Sequence, residues 1–343
     1  MASSLLLSRL LLDALDEFEA AIAHLPAPGR GGPLGPLSAS PWVVGHVAAI
    51  QDRWLTQSRA PGAPDAWCAA WRERHSTDVP YGTLATPLAE AIEAFEQVRE
   101  RARAFAPSLD AETLRTPANL AGSSWESSGA TTGYLVARSV AHAFVHAGDL
   151  TVIAALAGAG DLGLPGPLTR TTEGIDTDDA SASMVAALLR DGYVELRRTF
   201  AALPLPALTG EIVSLNPGSY TALHTLARED RFWNVLAQRR DADPFVGSFD
   251  FRAPPAPVPP SEVLDAMGRT LATADAWLAS LDAAALGAAI EAGRTRGPIG
   301  VQVARSAAHV FSHAGELQSV GSLAGAPDLG LPGALAHTMA ATR

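Results

Sequence analysis

The segment VARSVAHAFVHAGDLTVIAALAGAGDLGLPGPL, beginning at Val136, returns as VARSAAHVFSHAGELQSVGSLAGAPDLGLPGAL, beginning at Val303, at an ungapped offset of 167 residues. Solenoid repeats run to roughly 20–50 residues, so a period this long is a whole domain written twice. Two such units suit a chain of 343 residues, since one domain takes about 100–200. The expected division is a first copy over 1–168, a second over 180–343, and a polar, turn-rich linker, TRTTEGIDTDD, over 169–179.

Each half reads as four helices. The apolar spacing predicts them over 3–25, 40–58, 86–106 and 131–157, then over 180–203, 219–239, 260–281 and 299–324. Pro- and Gly-rich loops at 26–36, 59–67 and 251–260 separate them. No stretch alternates apolar and polar residues convincingly, so little sheet is expected. The predicted architecture is all-α: two tandem four-helix bundles.

Hydrophobic residues make up 48% of the chain, and the abundance of Ala and Leu favours helix. The net charge of −11 argues against a nucleic-acid partner. All 25 basic residues are arginine, a bias expected of a GC-rich bacterial genome. A single cysteine, Cys68, excludes an intramolecular disulfide and fits a reducing cytoplasm. It sits between Trp67 and Trp71 and reads as a buried inert thiol. The opening LLLSRLLL resembles a signal core, but Arg9 interrupts it and Asp13 and Asp16 follow. Leu7, Leu11, Leu15, Phe18 and Ile22 instead mark an amphipathic helix. Without a run of about 18 apolar residues, no membrane span is expected, and the location expected is cytoplasmic.

The histidines carry the chemistry. His142 and His146 stand four apart on the fourth helix of the first half, about 40° from each other in direction, so both project from one face. His309 and His313 repeat the pair. Each half also has one histidine on its second helix, His46 and His224, followed in both cases by an Asp-Arg dipeptide six and seven residues on. Six of the nine histidines thus fall into two matching sets of three. Three neutral imidazoles leave one coordination position open, the arrangement of a catalytic rather than a structural metal site. Imidazole suits Zn, Ni, Fe and Mn alike.

These residues resemble a known family. The segment SPWVVGHVAAI, containing His46, is similar to the second-helix stretch of the DinB/YfiT-like superfamily, and VAHAFVHAGDL is similar to its fourth-helix pair. The resemblance implies a four-helix bundle with a three-histidine site for a divalent metal (Zn, Ni or Fe). It further implies relatives that use low-molecular-weight thiols such as mycothiol or bacillithiol, as S-transferases or as a maleylpyruvate isomerase. Most relatives carry one bundle and dimerise. Two fused bundles imply a pseudo-dimer within one chain, with a further homodimer left open.

Other residues share the predicted site face. Arg138, His142, His146 and Asp149 lie within about 80° of one another on a helical wheel, as do Arg305, His309, His313 and Glu316. Asp149 and Glu316 are candidates to orient an imidazole, to ligate, or to act as general base; an interhelical ion pair is the bland alternative. Arg138, Arg305, Arg53 and Arg231 are candidate clamps for a substrate carboxylate, or partners in interhelical salt bridges. Trp125 and Tyr134 are candidate pocket walls or plain core. The DLGLPG tails read as structural turns. Three function classes remain open: a thiol-using transferase, a metal-dependent isomerase, lyase or hydrolase of a small metabolite, and a non-catalytic metal-binding or stress-response protein.

Overall fold

A computed structural model describes residues 4–58, 86–121, 126–159, 175–177, 180–210, 212, 215–249, 256–292 and 295–342. Eight long helices dominate the described residues: α1 (Leu6–His24), α2 (Ser40–Gln57), α3 (Leu88–Phe105), α4 (Thr132–Leu156), α5 (Ala180–Ala201), α6 (Gly218–Glu229), α7 (Pro260–Leu278) and α8 (Ile299–Leu323). α6 runs directly into a π-helical segment, Asp230–Ala237. The fold is all-α. Its small sheets are a parallel pair, Ser4–Leu5 with Ile175–Asp176, and an antiparallel pair, Ala289–Ala292 with Thr295–Pro298.

The helices start where the sequence fixes the backbone. Pro41 occupies the first turn of α2, where its missing N–H is no loss. Thr131 caps α4, its hydroxyl accepting from the Tyr134 amide at 3.2 Å. Pro298 precedes α8.

In the first half α1 packs on α4, and α2 on α3 and α4. In the second half α5 packs on α8, and α6 on α7 and α8. α1 buries Leu7, Leu11, Leu15, Phe18 and Ile22, the stripe expected from the sequence, and Phe18 meets Phe95 of α3 edge-on at 5.1 Å. Ala-rich α4 and α8 also pack on each other, so the fourth helices of the two halves form the spine of the molecule. Among the described residues α4 is the one helix long and apolar enough to cross a membrane by composition, but it is mostly buried inside the protein. Its apolar length is accounted for by packing on both sides.

Candidate metal centres

α2 and α4 bring His46, His142 and His146 together, and α6 and α8 bring His224, His309 and His313 together. In each group the available ligand atoms lie within 4.8 Å of one another. Nε2 of His142 stands 3.2 Å from Nε2 of His46, and Nε2 of His313 stands 3.1 Å from Nε2 of His309. Two nitrogens at about 2.0–2.1 Å from one tetrahedral zinc ion would be about 3.3 Å apart, so these separations fit a shared ion. Burial pushes the basicity of His142 and His309 well below the usual histidine range, and the neighbouring histidines push the same way. Both rings are therefore neutral at pH 7, with a lone pair to offer. Each group of three can hold a metal ion.

The ring faces are set by packing. Trp42, one turn before His46, stacks on it at 4.7 Å and 11°, and Tyr220 takes the same place beside His224 at 6.3 Å. The edge of Trp54 meets His142 at 5.1 Å. The outer histidine of each centre is held differently. Nδ1 of His146 lies 2.6 Å from Asp149 Oδ2, and Nδ1 of His313 lies 2.6 Å from Glu316 Oε2. A carboxylate there fixes the ring tautomer with the proton on Nδ1, so that Nε2 faces the centre.

A cavity of about 470 Å³ opens onto the first centre. Trp42, Ile50 and Trp54 of α2 and Val145 and Ile153 of α4 form its apolar side. The second half supplies the facing wall: Gln318, Ser319 and Ser322 at the end of α8, then Asp328 and Gly330–Pro332 of the C-terminal tail. That tail is the second DLGLPG element. It is strapped down by side chains from both halves. Arg138 donates to the carbonyls of Gly333 and, at 3.0 Å, Pro332. Tyr134 donates to Ala334 O at 2.7 Å, and Arg198 to Leu329 O at 2.7 Å. Buried Asp191 accepts from the backbone N–H of His337 and Thr338.

The remaining sequence candidates are dispersed. Arg138 lines the cavity, with its guanidinium 5.4 Å above the Trp54 ring and its terminal nitrogens on the tail. Arg305 reaches Gln302 at 3.3 Å. Tyr134 is buried against the tail rather than lining the cavity. Arg53 and Arg231 are exposed and are not brought to the centres. Seven residues carry Arg53 two turns, about 10 Å, along the helix axis from His46. Arg231 lies in the π-helical segment, where the 100° step assumed in placing it no longer applies. Trp125 and Cys68 lie outside the described residues.

Sequence reasoning missed Trp42, Ser319 and the tail as parts of the site. Trp42 was detectable, since four residues before His46 is the same helix face. No local signal marks the tail, because the residues it touches on α4 lie 194–200 positions away in sequence.

An all-α bundle whose facing helices converge three imidazoles on one point is an arrangement that can hold a metal ion in its core. The family model of the DinB superfamily matches residues 9–150. No curated protein and no solved structure matches the chain.

Proposed function

We propose that the chain is a metal-dependent enzyme that works at its first centre on a small molecule, with a low-molecular-weight thiol of the mycothiol type as co-substrate. The observation that carries the reading is the convergence of His46, His142 and His146 on the floor of a cavity of about 470 Å³. That volume lies in the range of small-molecule sites, about 300–1,000 Å³. The three imidazole Nε2 atoms would hold the ion, which when bound supplies Lewis acidity toward a thiol, a water or a carbonyl.

The protein's own groups have distinct tasks in this reading. Asp149 holds His146 in one orientation. Trp42 and Trp54 hold the inner two rings and exclude water from one side of the cavity. The hydroxyl and amide groups of Ser319, Ser322 and Gln318 offer a polar face to the bound molecule. Arg138 keeps the C-terminal wall in place. The thiol follows from the family resemblance, and the two halves are proposed as copies of one bundle forming a pseudo-dimer within the chain.

The test is a thiol-transfer assay on protein loaded with Zn²⁺, Ni²⁺ or Fe²⁺, with mycothiol or cysteine offered to a chromogenic aryl halide. The expected result is a rate that depends on thiol in the wild type and is lost in His142→Ala. A metal-loaded protein that shows no thiol dependence contradicts the transferase reading and favours a hydrolase, lyase or isomerase.

A further inference from the structure

We infer that Ser319 is a positioning residue for the first metal centre, acting on it from the other half of the chain through Asp149; the inference rests on the metal-centre reading above. Ser319 sits near the end of α8, buried, on the wall of the first cavity. Its hydroxyl donates to Asp149 Oδ1 at 2.8 Å, while Asp149 Oδ2 lies 2.6 Å from Nδ1 of His146. Both carboxylate oxygens are thus anchored. A carboxylate tied at one oxygen can turn about its terminal torsion, which is broad and soft. Tied at both, it cannot turn without breaking a hydrogen bond, and the plane of the His146 ring is held with it.

Among the described residues the second centre has only a longer counterpart. Thr151 of α4 approaches Glu316 Oε1, but at 3.4 Å, and its hydroxyl lies only 2.7 Å from the carbonyl of Gly148. A hydroxyl has one proton, and the shorter contact takes it. Glu316 is also one methylene longer than Asp149. At the offset of 167 residues Ser319 falls on Val152, which has no hydroxyl to give. The support is therefore lopsided: the second half anchors the first centre at 2.8 Å, and the first half returns only the 3.4 Å approach. Ligand orientation of this kind is worth roughly 10–100-fold in metal affinity when the partner of a ligating histidine is removed.

The experiment uses the full chain and Co²⁺ as the probe, titrated against a competing chelator, in a His309→Ala background so that the first centre is read alone. Ser319→Ala is expected to weaken Co²⁺ binding roughly tenfold, and Ser319→Thr, which keeps the hydroxyl, to restore it. Ser319→Ala on top of Asp149→Ala is expected to add nothing, because both act along one path. Thr151→Ala, read at the second centre in a His142→Ala background, is expected to leave its affinity unchanged. Melting curves of the metal-free variants should superimpose, separating lost orientation from lost fold. Unchanged affinity in Ser319→Ala, or additive losses with Asp149→Ala, overturns this inference while the metal centre stands. A wild-type chain that takes up no Co²⁺ overturns both.

Discussion

Gly148 of α4 lies so close to Ser312 of α8 that a Cβ at residue 148 would overlap the Ser312 carbonyl oxygen. The relation is reciprocal: a Cβ on Gly315 would overlap the carbonyl of Val145, and the two glycines are 167 positions apart, as are Val145 and Ser312. Reciprocal contact of this form is what a two-fold axis produces at an isologous interface. Each glycine stands between the outer histidine and the carboxylate of its centre, so the crossing sets the spacing of both sites. Gly148→Ala and Gly315→Ala are each expected to destabilise the protein by about 3 kcal/mol, the cost of forcing backbone apart in a packed core. Urea unfolding checks this. Loss below about 0.5 kcal/mol, the range of an ordinary surface change, contradicts so close a crossing.

The tail over the first cavity depends on Arg138. Hydrogen bonds to a charged group are worth about 1.5–3 kcal/mol each, and Arg138 gives two to the tail. Arg138→Ala is expected to raise amide hydrogen exchange in residues 329–335 while leaving α2 and α3 protected. Unchanged exchange in the tail would show that Tyr134, Arg198 and Asp191 suffice without it.

Acid should destabilise the metal-free protein in a defined window. His142 and His309 have folded-state basicity well below the usual histidine value of about 6.5, chiefly through burial. Below pH 6.5 the unfolded chain takes up protons there that the folded chain refuses, so stability falls with falling pH. Each site contributes a slope of up to about 1.4 kcal/mol per pH unit until its folded pKa is reached. Above pH 6.5 neither contributes a slope. Unfolding free energies from pH 7.5 to 5 should bend downward near 6.5, and the bend should be about halved in His309→Ala.

A buried ion pair lies at the end of α6 in the second half. Arg228 lies 3.6 Å from Glu229, whose other oxygen accepts from Tyr193 at 2.6 Å and Trp233 at 2.7 Å. Removing one partner of a buried pair leaves an uncompensated charge and costs about 3–5 kcal/mol. Glu229→Ala should lose that much, whereas exposed Arg53→Ala and Arg231→Ala should stay within about 0.5 kcal/mol and leave metal affinity intact. Calorimetric melts compare the three directly. A metal-binding defect in Arg53→Ala would restore it to the site.

Much of this arrangement was readable in the chain. All eight long helices were expected within a few residues of their observed ends, counting the π-helical segment that continues α6 to Ala237, because Ala and Leu recur at helical spacing and Pro-Gly loops punctuate them. The two histidine triads were readable too, since the i, i+4 pairs share a face on any regular helix. What failed did so for lack of local cause. The placement of Arg231 assumed a 100° step that the π-helical turn breaks, and the Ala289–Pro298 strand pair has no alternating pattern to announce it. Ser319, Tyr134 and the DLGLPG tail gain their roles only when the two halves meet. Their partners lie 170–200 residues away in sequence, where no spacing rule reaches.

The central claim is that each triad is a metal centre, and metal content per chain tests it most directly. Untagged wild type, His142→Ala and His309→Ala would be purified side by side, reconstituted with Zn²⁺ and analysed for bound metal. The account predicts two equivalents in the wild type and one in each variant. Wild-type protein that holds no metal after reconstitution, or variants that hold as much as the wild type, would contradict it.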